Sequence, residues 1–206
     1  MHKFLRKYWK WAIAVLVVIL VAYFVVVESQ KITNQDSENV GVVAFGDSLV
    51  AGVGSVQGGG FVKTLSADLD LPITNLGRSG DTTALALARV GEVALMKPAL
   101  TIVLLGGNDY LQGVPESETK ANLGKIIEAL HASGSAVVLV GIESGVPGTR
   151  HRAIFETLSE EYKTAYVPNI LDGIYGHQEF MSDNLHPNDK GYRFMAERIK
   201  STLASI

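Results

Sequence analysis

Val42-Val43-Ala44-Phe45-Gly46-Asp47-Ser48-Leu49 is an apolar run that ends abruptly in Gly-Asp-Ser-Leu. The run is short and rich in β-branched residues, which predicts a buried strand. Gly46 lets the backbone turn sharply as it leaves the sheet. Ser48 then falls just past the carboxyl end of a strand, where open α/β sheets hold their ligands. A serine there is a nucleophile if a base reaches it; otherwise it caps the next segment.

Outward from this stretch, apolar runs alternate with helical patterns. Strands are predicted at Val40–Phe45, Ile73–Leu76, Leu100–Leu105, Ala136–Ile142 and, briefly, Ala165–Val167. Helices are predicted at Phe61–Leu69, Thr82–Met96 with Asp81 as N-cap, Ser117–Ser133 ended by Gly134, Arg152–Thr164, and Asn188–Leu203 with Pro187 in its first turn. The strands read as continuous apolar runs, as strands buried on both faces do. The expected class is α/β, with a parallel sheet covered by helices on both faces.

The N-terminal region differs in character. Trp11 to Val27 carries no charge, and Trp9, Trp11 and Tyr23 stand near its two ends. Seventeen residues as a helix span about 25 Å, the short end of what crosses a bilayer. Lys3, Arg6, Lys7 and Lys10 precede it and no acidic residue occurs before Glu28, which favours a cytoplasmic N-terminus. Residues 1–27 are therefore expected to be a membrane anchor, with a cleaved signal sequence as the alternative; no Ala-x-Ala site follows the run. Either delivers the rest of the chain across a membrane. Residues 28–39 are polar and read as a linker, and the domain is expected at 40–206.

Composition excludes several functions. The 206 residues include no cysteine, so disulfides and thiolate metal sites are impossible. Past the basic N-terminus, 14 basic residues face 21 acidic ones, a net of −7 with no basic tract, which argues against nucleic-acid binding. His131, His151, His177 and His186 are scattered, with no His-x-x-x-His pair, and His131 falls late in a helix. Gly52-x-Gly54 lacks the third glycine of a dinucleotide loop, and Gly58-Gly59-Gly60 lacks the lysine of a phosphate loop. No metal and no cofactor is expected.

Three further elements fall at strand ends or before the last helix. Asn75-Leu76-Gly77 and Ser79-Gly80-Asp81 follow the second strand. Gly106-Gly107-Asn108-Asp109 follows the third. Asp183-Asn184-Leu185-His186-Pro187 precedes the final helix. Acyl transfer by serine needs a base for the hydroxyl proton, a group that orients the base, and donors for the developing oxyanion. Asp183 can accept the Nδ1 proton of His186 and leave Nε2 for Ser48. Gly77 offers a backbone N–H that a ligand can approach closely, Asn108 a side-chain amide, and Ser48 its own N–H. Each element alone also fits an ordinary turn. Four turns, in order and each where a sheet presents ligands, are poorly explained as coincidence.

The set resembles the GDSL, or SGNH, hydrolases. Gly46-Asp47-Ser48-Leu49 matches the first block of that family, Gly77 the second, Gly106-x-Asn108-Asp109 the third and Asp183-x-x-His186 the fifth; the resemblance runs from about residue 40 to the C-terminus. Ser79-Gly80-Asp81-Thr82 and the doubled glycine before Asn108 look closest to the bacterial multifunctional thioesterase/protease/lysophospholipase and the related arylesterases. The resemblance implies a three-layer α/β/α sandwich with a flavodoxin-like five-stranded sheet. It implies Ser48 as nucleophile, His186 as base and then acid, Asp183 as its orienter, and Ser48, Gly77 and Asn108 as the oxyanion hole. Tyr110, Ile142 and Val146 are candidates for the substrate wall. The expected function is a serine esterase acting on small-molecule or lipid esters or thioesters, on the periplasmic side of a bacterial inner membrane and held there by residues 11–27. An envelope glycan O-acetylesterase is an alternative within the class, and a catalytically silent binding module the alternative outside it.

Overall fold

A computed structural model of the protein describes residues 12–20, 31–143 and 151–206. It divides into a unit up to Lys31 and a second unit from Ile32 to Ile206. In the first, residues 12–20 form helix α1, with Ile13 and Val15 through Leu20 all exposed. Among the described residues no helix is long and apolar enough to cross a membrane. The remainder of the expected anchor, residues 1–11 and 21–27, lies outside the described residues.

The second unit is built on five parallel strands: β1 (Val42–Gly46), β2 (Ile73–Gly77), β3 (Leu100–Leu104), β4 (Ala136–Val140) and β5 (Ala165–Val167). Their order is β2-β1-β3-β4-β5, the flavodoxin-like doubly wound order. All five predicted strands are present, with ends shifted by at most two residues. The register sets Gly46 beside Gly77 on one side and beside Leu104 on the other, so three strands end level with one another.

The helices of this unit are α2 (Ser48–Ala51), α3 (Gly60–Leu69), α4 (Thr83–Met96), α5 (Gly107–Leu111), α6 (Glu116–Ala132), α7 (His151–Tyr162) and α8 (Asp189–Leu203). The crossover from β1 to β2 runs one way across the sheet, and the later ones run the other way. Right-handed crossovers therefore put α3 on one face and α4, α6 and α7 on the opposite face. The packing agrees: α3 lies against α8, α4 against α6, and α6 against α7. The core is the sheet between these layers. Ile102, Val103 and Leu104 of β3 and all of β4 are buried. Each such large side chain contributes about 1.5–3 kcal/mol relative to exposure.

Three local expectations change. The cap of α4 is Thr82, whose hydroxyl accepts from the N–H of Leu85, because the Asp81 carboxylate is drawn instead to Arg89. Asn188 caps α8, accepting from the N–H groups of Lys190 and Gly191, so Pro187 stands before the cap rather than in the first turn. The polar stretch before Val40 is tied to the unit from Ile32 onward. The Thr33 N–H donates to Lys163, and the amides of Asn34 and Asn39 donate to carbonyls of His131, Ser135 and Ser133.

The residue that closes Gly106-Gly107-Asn108-Asp109 is fully buried and fastens two helices. Asp109 accepts from the N–H of Thr83 at 2.8 Å and from the hydroxyls of Thr83 at 2.5 Å and Thr119 at 3.3 Å. Asp109→Ala leaves these donors without an acceptor in the core. It is expected to cost about 2–4 kcal/mol, read as a lower urea midpoint at unchanged m value.

Candidate active site

Every element that carries a candidate residue ends at the carboxyl edge of the sheet, around the place where the chain leaves β1 in one direction and β3 in the other. Asp47 caps α2, its carboxylate accepting from the N–H of Leu49 at 3.0 Å. Ser48 is thereby the first residue of a one-turn helix pressed onto the strand ends. The sequence pattern did not disclose α2 or α5, because elements of four and five residues are too short for a helical period to show.

The Asp-x-x-His segment is folded by its own hydrogen bonds. The Ser182 N–H donates to the His186 carbonyl at 2.8 Å, and Met181 bridges Pro187. Asp183 Oδ1 accepts from the N–H groups of Leu185 and His186 at 2.7 and 2.8 Å. These bonds turn the Asp183 carboxylate back onto the His186 ring, with Nδ1 at 2.9 Å from Oδ2. His186 Nε2 stands 3.1 Å from Ser48 Oγ. Residues 138 apart in sequence thus form one chain of contacts, carboxylate to imidazole to hydroxyl.

Two further links hold the Ser48 and His186 segments together. The Tyr192 hydroxyl of α8 donates to the Val53 carbonyl at 2.6 Å, and the Ser55 hydroxyl donates to Asp189 at 2.5 Å.

Asn108 stands at the N-terminal turn of α5. Its Nδ2 donates to the Asp81 carbonyl at 3.0 Å and lies 3.5 Å from Asp47 Oδ2. Gly77 ends β2, and a Cβ there would overlap the backbone of Val50 and Ala51, so α2 can sit on the strand only because residue 77 is glycine. The Gly77 N–H donates to Asn75 Oδ1 at 2.9 Å.

A pocket of about 280 Å³ opens at the Ser48–His186 pair. Tyr110 and Ile142 line it; Val146 lies outside the described residues. Leu49, Leu111, Leu171, Tyr175 and Leu185 complete a largely apolar wall. Leu171 and Tyr175 lie in the irregular segment after β5, where no periodicity marks a facing direction.

The charges respond to these surroundings. The hydrogen bond to His186 and the two backbone N–H groups hold the Asp183 carboxyl down at about 2. Its contribution to stability is present above the ordinary carboxylate range and is lost as pH falls toward 2. Asp47 behaves oppositely. Burial pushes its carboxyl up to about 6, against the lowering pull of the Leu49 N–H and His186, with Asp81 and Asp109 adding to the rise.

Serine, imidazole and carboxylate in this order beside an apolar pocket define the class of serine acyl hydrolases. The chain belongs to the GDSL-like lipase/acylhydrolase family, whose model matches residues 44–194. It is 34% identical over 179 residues to "Esterase TesA" of Pseudomonas aeruginosa, covering 80% of this chain and 88% of that one. It is 32% identical over 143 residues to "Arylesterase" of Vibrio mimicus, covering 65% and 70%. The solved structure "Crystal Structure of TesA" superposes with a TM-score of 0.72 at 32% identity, covering 80% of this chain and 98% of that one.

Because the folded state holds a proton on Asp47 where the unfolded state has released it, stability contributed by this group falls as pH rises from about 4 to about 6. A shift of this size corresponds to about 3 kcal/mol. Asp47→Asn removes the titration. Urea unfolding of both proteins at several pH values is expected to show the variant gaining on the parent across that window and a constant difference above it.

Proposed function

We propose that the protein hydrolyses carboxylic esters or thioesters through an acyl-enzyme on Ser48, and that its natural substrates carry an extended acyl chain. The contact chain from Asp183 through His186 to Ser48, at the mouth of an apolar pocket, carries this reading. His186, neutral and oriented by Asp183, takes the Ser48 proton as Oγ attacks the acyl carbonyl. The tetrahedral oxyanion draws on the Ser48 N–H, the Gly77 N–H and Asn108 Nδ2. His186 then protonates the leaving group. In the second half-reaction it takes a proton from water, which attacks the acyl carbon and releases Ser48. Leu49, Leu111, Ile142, Leu171 and Leu185 in the pocket favour an acyl chain over the acetyl group of a glycan ester.

The test is labelling of the full-length chain with a fluorophosphonate, followed by hydrolysis of p-nitrophenyl esters from acetyl to long acyl. Label on Ser48, a loss of about 10⁴-fold or more in kcat for Ser48→Ala, and kcat/KM rising beyond acetyl are expected. Unchanged hydrolysis in Ser48→Ala would sink the mechanism. A maximum at acetyl would move the substrate to small acyl groups.

The reading places the catalytic unit outside the cytoplasm, held by residues 11–27. Support comes from the uncharged run, the four basic residues before it, and the exposed apolar side chains of residues 12–20. The protein is expected to stay with membranes through an alkaline wash. A soluble form beginning near residue 28 would show a cleaved signal instead.

A further inference from the structure

We infer that Arg89 is the positioning residue of the oxyanion hole, a single buried guanidinium that sets the mutual placement of all three donors. The inference rests on the proposed roles of Ser48, Gly77 and Asn108.

Arg89 occupies the core face of α4, in the series Ala86, Arg89, Val90, Val93, and is only 7% exposed. Its guanidinium lies over the Phe45 ring, 4.3 Å from the centroid. Each nitrogen donates to a different segment. Nε reaches Asp81 Oδ2 at 2.6 Å, one terminal nitrogen the Leu76 carbonyl at 3.1 Å, and the other the Gly46 carbonyl at 3.0 Å. These contacts match the three donors. Gly46 stands two residues before Ser48. Leu76 immediately precedes Gly77. Asp81 accepts the Asn108 amide on its own carbonyl at 3.0 Å. The donors come from three separate stretches of chain, and this side chain bonds to a residue of each stretch or, for Asn108, to the residue that orients it.

Burying a guanidinium with a carboxylate is costly, and a well-packed apolar pair often does as well or better for stability alone. A planar fork, however, reaches three acceptors in fixed directions, which neither an apolar side chain nor a lysine ammonium reproduces. Because Asp81 offsets the charge, Arg89 acts through placement. Misplacing a reacting or stabilising group by about 1 Å costs on the order of 100-fold in rate.

The experiment compares Arg89→Lys with the parent in the full-length chain. Active sites are counted by fluorophosphonate labelling taken to completion, and kcat is expressed per labelled site. The expected result is a fall of about 10–100-fold in kcat, KM within about 3-fold, and an unchanged acid limb of the pH profile, because the Asp183–His186–Ser48 contacts do not involve Arg89. The rate of labelling should fall in step with kcat/KM, since phosphonylation also places a negative oxygen in the hole. A variant with a lower melting temperature but parental kcat per labelled site would overturn the inference and leave Arg89 a core fastener. If Arg89→Lys yields no folded protein, Asp81→Asn carries the test: it removes the ion pair and keeps both carbonyl contacts. A several-fold lower kcat with KM unmoved supports the inference, and parental kcat overturns it. Failure of the underlying reading has a different signature, since the parent itself would then not be labelled at Ser48.

Discussion

The end of β1 has no room for a side chain at residue 46. A Cβ on Gly46 would overlap the Leu104 carbonyl and a methyl group of Val50. The constraint arises because β1 is flanked by β2 and β3 with Gly46 level with both neighbours' ends, while the chain folds back over the sheet as α2. Any larger residue would lift α2 and carry Ser48 away from the His186 ring. The same compression recurs at Gly77, where the Val50–Ala51 backbone rests on the strand. The position of the serine is thus set by backbone packing on a rigid sheet.

Around this point the fold concentrates polar groups that burial ordinarily excludes. Asp47, Asp81, Arg89 and Asp109 are all nearly or fully buried, at the ends of strands whose interiors are aliphatic. Each is satisfied by a specific partner: Asp81 by Arg89, Asp109 by Thr83 and Thr119, Asp47 by the Leu49 N–H. Burial raises the Asp47 carboxyl, and the neighbouring acids Asp81 and Asp109 add to the rise. The polar cluster does for loops and helix starts what strand pairing does for the sheet.

How far this was legible in the sequence depended on the range of the forces involved. Strands such as Leu100–Leu104 and helices such as Glu116–Ala132 follow a local apolar pattern and were readable in place. The Asp183–His186 spacing is also local, because the turn that joins them lies within four residues. What could not be read depended on partners distant in sequence. Asp81 looked like a helix cap until Arg89 claimed it, and residues 33–39 read as part of a linker over 28–39 until their carbonyl partners near Ser133 and Lys163 were in place. Arg89 did carry a signal: a charged residue at the apolar spacing of an Ala/Leu-rich helix. The wall residues Leu171 and Tyr175 carried none.

Asn108 and Gly77, two of the three donors proposed for the oxyanion, are already engaged before any substrate arrives. Asn108 Nδ2 has two protons: the Asp81 carbonyl takes one at 3.0 Å, and the other faces Asp47 Oδ2 at 3.5 Å, a long contact that an incoming oxyanion shares or displaces. Gly77 has a single N–H, and Asn75 Oδ1 holds it at 2.9 Å, while the Asn75 amide is itself held by the Val50 carbonyl at 2.7 Å. An oxyanion receives the Gly77 proton only by sharing it with Asn75 or displacing that contact. A neutral ester carbonyl is a weak competitor for such a proton, and a tetrahedral oxyanion a strong one. In the proposed role, Gly77 is therefore engaged more fully in the transition state than in the bound ester, which is the differential that lowers a barrier instead of tightening substrate binding.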